Sequence, residues 1–215
     1  MQKISYPFIP MKMRLVLKSN KGSKDMYNVL KFKNSDDVAI NKWSCQTQLG
    51  YIDDWKKIHL SIKKILDPKL KWFQYRINRH ILTTNKTAFK MNLTDNELCS
   101  FCNAEVETII HLLWNCQSVQ NLIKDCARRL ESFHIDFDLS IKKFILGPYN
   151  NDPESLFILT LKYYIYRKKV RNENLNTREF LLSLKLQYEA YKQIFYKIEK
   201  REIFLKDWTL LESIF

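Results

Sequence analysis

Glycine is almost missing from this chain: there are three in 215 residues, alongside five prolines. A phosphate-cradling loop needs glycines at fixed spacing, and neither the P-loop nor the dinucleotide fingerprint occurs. Nucleotide chemistry of those two kinds is therefore excluded. An all-β sandwich needs turn residues about every 8–12 positions, which this composition does not supply. Histidine is also scarce. His59, His80 and His134 have no acid or nucleophile at a recognisable spacing, so a hydrolase triad has no support. No apolar run is long enough for a membrane span, because the longest, near residues 156–166, contains Lys162. The N-terminal apolar stretch is broken by Lys3, Lys12 and Arg14, so no signal peptide is evident. The five cysteines are an odd number and suit a reducing compartment better than a disulfide framework. The expectation is an intracellular protein, nuclear and/or cytoplasmic, not secreted and with no membrane partner.

What the chain has in abundance is positive charge, a formal net of +13. Part of this follows from a composition rich in Lys, Asn and Ile, so its distribution is more informative than its total. Residues 1–33 carry eight Lys/Arg against one acid, and residues 56–90 carry ten against one. Residues 162–171 carry five cations and no acid. Residues 91–116 reverse the pattern, with Asp95, Glu97, Glu105 and Glu107 and neither Lys nor Arg. A polyanionic partner such as RNA or DNA fits the basic segments. The acidic segment cannot grip phosphates itself.

That acidic segment holds the most specific pattern in the chain. Cys99, Cys102, His111 and Cys116 follow C-x2-C-x8-H-x4-C. Three thiolates and one imidazole can close a tetrahedral shell around one Zn²⁺, leaving no position for water or substrate. A closed shell is structural, so one structural zinc and no catalytic residue are expected. Cys45 and Cys126 read as half-buried thiols outside the set. Tyr51-Ile52-Asp53-Asp54 superficially matches a polymerase Y-x-D-D element, but the pair runs into an amphipathic helix and more plainly stabilises its N-terminus.

The periodicity is helical throughout, and no segment alternates convincingly at period two. The first twenty or so residues, with Pro7 and Pro10, read as extended, followed by a short helix from Lys24 capped by Ser23. Residues 53–66 form a helix with Trp55, Ile58, Ile62 and Leu66 on one face. Asp67-Pro68 stops it and opens the next, to about Leu82. There Leu70, Phe73, Ile77 and Ile81 form the core stripe, with Trp72, Tyr75, Arg76 and Arg79 roughly opposite. Two aromatics and two arginines on one outward face can stack bases and pair phosphates. They can equally pack a neighbouring helix. Further helices are expected at 86–92, 107–114 (delivering His111), 117–133 and 153–169, and a long one over 178–207 opened by a capping box of Asn176 and Glu179. Lys168-Lys169-Val170-Arg171 fits a nuclear-localisation pattern, but cations at a helix C-terminus are favourable in any case.

The run Leu98-Cys-Ser-Phe-Cys102, followed by Glu105-Val-Glu-Thr-Ile-Ile-His-Leu-Leu-Trp-Asn-Cys116, resembles the zinc-binding region at the C-terminus of LINE-type (non-LTR) retrotransposon reverse transcriptases. Lys71-Trp-Phe-Gln-Tyr-Arg-Ile-Asn-Arg-His-Ile-Leu-Thr-Thr-Asn85 resembles the helix before that site, although the family more often has His-Arg where this chain has Arg79-His80. The resemblance implies an all-helical segment that helps bind template RNA and target DNA in target-primed reverse transcription, with the same four metal ligands. The polymerase and endonuclease parts of the family do not occur in these 215 residues, so a truncated element without catalysis of its own is expected.

The sequence thus predicts an all-α protein: a basic N-terminal segment (1–50), a helical zinc module (51–147) and a C-terminal helical hairpin (148–215). Lys69, Lys71, Trp72, Tyr75, Arg76, Arg79, Lys86 and Lys90 are the candidate nucleic-acid contacts. The competing expectation is an interaction module whose basic helices dock on a polymerase body.

Overall fold

A computed structural model describes residues 35–45, 55–147 and 149–215, which are mostly helical and contain no strand. The predicted extended N-terminus, the helix from Lys24 and the Asp53-Asp54 pair lie outside these residues. The described helices are α1 (Ser35–Ser44), α2 (Trp55–Ile62), α3 (Pro68–Asn78), α4 (Asn85–Lys90), α5 (Gln117–Ser132), α6 (Ile141–Leu146), α7 (Pro153–Arg171), α8 (Thr177–Lys197) and α9 (Arg201–Asp207). A π-helical turn, His111–Asn115, precedes α5, and a 3₁₀ turn, Thr209–Ile214, follows α9. No described helix is long and apolar enough to cross a membrane.

Three starts follow from local chemistry. Asp67 accepts from the backbone of Lys69 and Leu70 ahead of Pro68, and Asp152 accepts from Ser155 N ahead of Pro153. Asn176 accepts from Arg178 N and Glu179 N. Each side chain satisfies an amide that the helix itself leaves orphaned. The expected reciprocal arm at α8 is replaced. Asn176 N donates to Tyr164 Oη at 2.9 Å, while Glu179 turns to pair with Lys168.

α7 is the axis of the fold. It packs against α3, α8 and the π-turn, and residues 155–162 are buried on every side. A helix apolar nearly all round belongs in an interior, and each fully buried Leu, Ile or Phe there contributes about 1.5–3 kcal/mol of transfer free energy. The buried polar side chain of Lys162 closes a network. Its Nζ donates to Gln74 Oε1, Tyr149 Oη and Ile145 O, and Gln74 in turn donates to Asn78 Oδ1 at 2.6 Å. Trp43 Nε1 donates to Asn78 O at 3.0 Å, tying α1 to the same line.

Two expectations change. Leu70, Phe73 and Ile77 are buried, but Ile81 is 54 % exposed and Leu82 takes the core position. α3 ends at Asn78, and His80, at φ 57°, turns the chain so that helical spacing no longer applies. The expected single helix over 178–207 is two. The chain turns after Lys197 through Glu199 at φ 58°, and α9 folds back to place Phe204 and Trp208 against Tyr188, Tyr191 and Phe195 of α8. Burying two large aromatics outweighs one continuous backbone ladder.

Candidate metal centre and nucleic-acid interface

Cys99, Cys102, His111 and Cys116 come together: their ligand atoms all lie within 4.8 Å of one another. Cys99 Sγ is 3.8 Å from Cys116 Sγ, and Cys102 Sγ is 3.4 Å from His111 Nε2. Tetrahedral zinc, with bonds of about 2.3 Å to sulfur and about 2.0–2.1 Å to nitrogen, requires edges of roughly 3.8 Å and roughly 3.5 Å. These two edges match the ion, and the donor set suits it in chemistry.

Two local devices build it. Residues 97–107 fold back on themselves through the Leu98–Val106 bridge, with Cys99 N donating to Glu105 O and Glu107 N to Glu97 O. Asn103 sits at the turn with φ 51°, a conformation that asparagine tolerates. The second device is the π-turn. Five residues along an α-helix put two side chains about 140° apart, so H-x4-C would fail on a continuous α-helix. The wider turn, with Cys116 N donating to His111 O at 2.9 Å, brings residue 116 back over residue 111. Leu112 and Leu113 of the same turn are buried, and Trp114 packs on Phe144.

Without a metal, burial pushes the Cys99 thiol up to about 12. Burial also acts upward on Cys102, but the amides of Ala104 and Glu105, with His111, outweigh it and bring that thiol down to about 7. A coordinated divalent cation deprotonates such thiols outright. Glu105 Oε2 lies 3.2 Å from His111 Nδ1, out of line for a full hydrogen bond, on the side of the ring away from the thiolates. A carboxylate in that place favours the tautomer with Nε2 available to a metal.

Glu107 is the residue that the sequence did not single out. It is fully buried, and it braces the centre from beneath. Its Oε1 accepts from Asn85 N, its Oε2 accepts from Ser100 N and Oγ between the first two cysteines, and Lys169 Nζ of α7 lies 3.4 Å away. The one available signal was an acid in a segment without local cations.

Residues 22–122 match the family described as zinc-binding in reverse transcriptase. The segment takes in all four ligands, α3 and α4. No curated protein matches the chain. The Cys₃His cluster can hold one zinc ion, and the matching family is described as zinc-binding. Cys45 and Cys126 stand outside the cluster, and neither is half-buried as expected: Cys45 is exposed and Cys126 buried. Burial pushes the Cys126 thiol up to about 12.

Of the candidate nucleic-acid residues, Lys69, Trp72 and Lys90 are exposed, and Lys71, Tyr75, Arg76, Arg79 and Lys86 are half-buried. Trp72, 60 % exposed, stacks on Tyr75 with ring centroids 5.2 Å apart. The Arg79 guanidinium lies over Tyr75 at 5.5 Å. Arg76 lies over Tyr166 of α7 at 5.7 Å and donates to Thr83 Oγ1. Tyr75 packs within the molecule, and Trp72 offers its ring to solvent. Lys86 and Lys90 sit apart on α4. The basic run 162–171 is largely turned inward: Lys162 enters the core, Lys168 pairs with Glu173 and Glu179, and Lys169 serves Glu107.

Proposed function

We propose that this chain is a non-catalytic, zinc-stabilised nucleic-acid-binding module of a non-LTR retrotransposon reverse transcriptase, contacting template RNA or target DNA in target-primed reverse transcription. The observation that carries the reading is Trp72: a large ring held flat on Tyr75, whose own ring lies under Arg79, and left 60 % exposed. An exposed ring stacked on a tyrosine that also carries a guanidinium suits a base with a phosphate attached. Lys69, Lys71, Arg76, Arg79, Lys86 and Lys90 supply phosphate contacts, and the zinc holds the fold that presents them. The family match and the net charge of +13 agree with this role.

The test is affinity for RNA and DNA across a salt series. Each phosphate neutralised contributes about 0.7–0.9 to the slope of log K on log salt. Trp72→Ala, at an exposed position, and Arg76→Ala/Arg79→Ala should each weaken binding while zinc content stays at one per chain. Unchanged affinity in both variants would overturn the assignment.

A second reading, docking on a polymerase body with only non-specific nucleic-acid affinity, is favoured by Leu182 and Leu186. They lie four residues apart on α8, 58 % and 73 % exposed. Under that reading binding disappears at physiological salt, and the polymerase part is retained by the wild type but not by Leu182→Asp/Leu186→Asp.

A further inference from the structure

Two hexapeptides of this chain share a pattern. Lys71-Trp72-Phe73-Gln74-Tyr75-Arg76 and Lys162-Tyr163-Tyr164-Ile165-Tyr166-Arg167 each run lysine, two aromatics, a variable residue, tyrosine, arginine. The fold packs α3, which carries the first, against α7, which carries the second. Phe73 lies between them, its ring 5.3 Å from Tyr163 and 5.4 Å from Tyr166. Arg76 of the first lies over Tyr166 of the second, and Arg167 lies over Tyr163 at 6.0 Å. Trp72, Tyr75, Tyr166 and Tyr163 therefore form a series of partly or largely exposed rings on adjoining helices, and each of the three tyrosines has a guanidinium over its face.

The cations of α7 sort themselves by partner. Lys162, Lys168 and Lys169 are engaged inside the protein, which leaves Arg167 and Arg171 exposed at the end of the ring series. Of the nearby carboxylates, Glu179 pairs with Lys168, and Glu173 pairs with Lys168 while also lying within the fields of Arg171 and Arg167. A groove of about 210 Å³ between α7 and α8 adjoins them, lined in part by Tyr163, Arg167, Arg171 and Gln187.

The geometry points to a track for a single, unpaired polynucleotide strand, running from Trp72 and Tyr75 on α3 across Tyr166 and Tyr163 to Arg167 and Arg171 on α7. This rests on the nucleic-acid reading above and gives it a strand class. Inside a duplex the faces of each base are covered by its neighbours, so away from the duplex ends only an unpaired base can lie on Trp72. A duplex backbone needs cations alone and makes no use of rings. The second half of the track lies beyond residue 122, outside the segment that matches the family.

The test uses the full zinc-loaded chain and fluorescence anisotropy with oligo(dT), oligo(rU) and a duplex of equal length. Arg167→Ala/Arg171→Ala should lower affinity for both single strands about tenfold and make the salt slope shallower by about 1.4, two phosphates at about 0.7 each. Duplex affinity should change less than about twofold. Tyr163→Leu, which keeps an apolar contact for Phe73, should also lose about tenfold on single strands. If Trp72→Ala weakens binding while Arg167→Ala/Arg171→Ala does not, the face ends at α3: the track is overturned and the nucleic-acid reading stands. Equal losses on duplex and single strand would overturn the strand class. Absence of binding by the wild type would end both.

Discussion

Lys169 Nζ lies 3.4 Å from Glu107 Oε1, although the two residues are 62 positions apart. The carboxylate is fully buried and the lysine side chain nearly so. Through this contact the central helix α7 holds the loop carrying Cys99 and Cys102, because the other oxygen of Glu107 binds Ser100. Lys169 also reaches Thr83 O at the entry to α4. The metal centre, α4 and α7 therefore meet at one ion pair.

Breaking a buried pair by removing one partner leaves an uncompensated charge. Glu107→Ala should cost about 3–5 kcal/mol in denaturant unfolding and weaken zinc retention against a chelator. Stability within about 0.5 kcal/mol of wild type, the range of ordinary surface changes, would refute the brace.

The metal itself should dominate local stability. Structural zinc contributes on the order of 10–16 kcal/mol of apparent binding free energy. Purified chain should contain one zinc, and Cys99→Ala, Cys116→Ala or chelation should abolish amide protection over residues 98–117. Retention of that protection in metal-free protein would count against a structural site.

His80 gives a pH-dependent contact. Burial holds its imidazole below the ordinary 6.5, and its ring packs on Trp43 at 4.8 Å. The neutral form is the one that fits, so its contribution is complete above the unfolded value near 6.5 and is lost as pH falls through the lower folded value. Stability should decline on acidification in this window, and His80→Phe should flatten the decline. A wild-type curve parallel to the variant's across it would exclude the effect.

Lys162 should act at the other end of the scale. Burial pulls its pKa well below the ordinary lysine value. Its contribution is complete above the unfolded value of about 10.4 and falls away as pH drops through the folded one. Wild type should gain stability relative to Lys162→Met as pH is raised towards 10. The variant avoids the cost of burying the amine but leaves Gln74 Oε1 unpaired, an offsetting cost of about 1–3 kcal/mol. Thermal melts of both proteins at several pH values decide the slope, and a constant difference would refute it.

Much of this molecule is written in short-range chemistry. Asp67-Pro68, Asp152-Pro153 and Asn176 start helices because a side chain beside an orphaned amide acts within three residues. The four metal ligands are legible for the same reason: thiol and imidazole chemistry is specific, and their spacing lies within eighteen residues. The sequence by itself determined the helical character of the described residues and the four side chains that can close around one zinc.

Tertiary structure decided the rest. Whether residue 81 or 82 entered the core depended on a left-handed turn at His80 packed against Trp43. The wide turn that joins His111 to Cys116 arises where two ligands five apart must share one face. Charge counts along the chain could not say that three of the five cations in 162–171 face inward, because their partners, Gln74, Glu107 and Glu179 among them, come from other elements. A cation's role is set by what stands opposite it, and that is fixed only when distant helices pack.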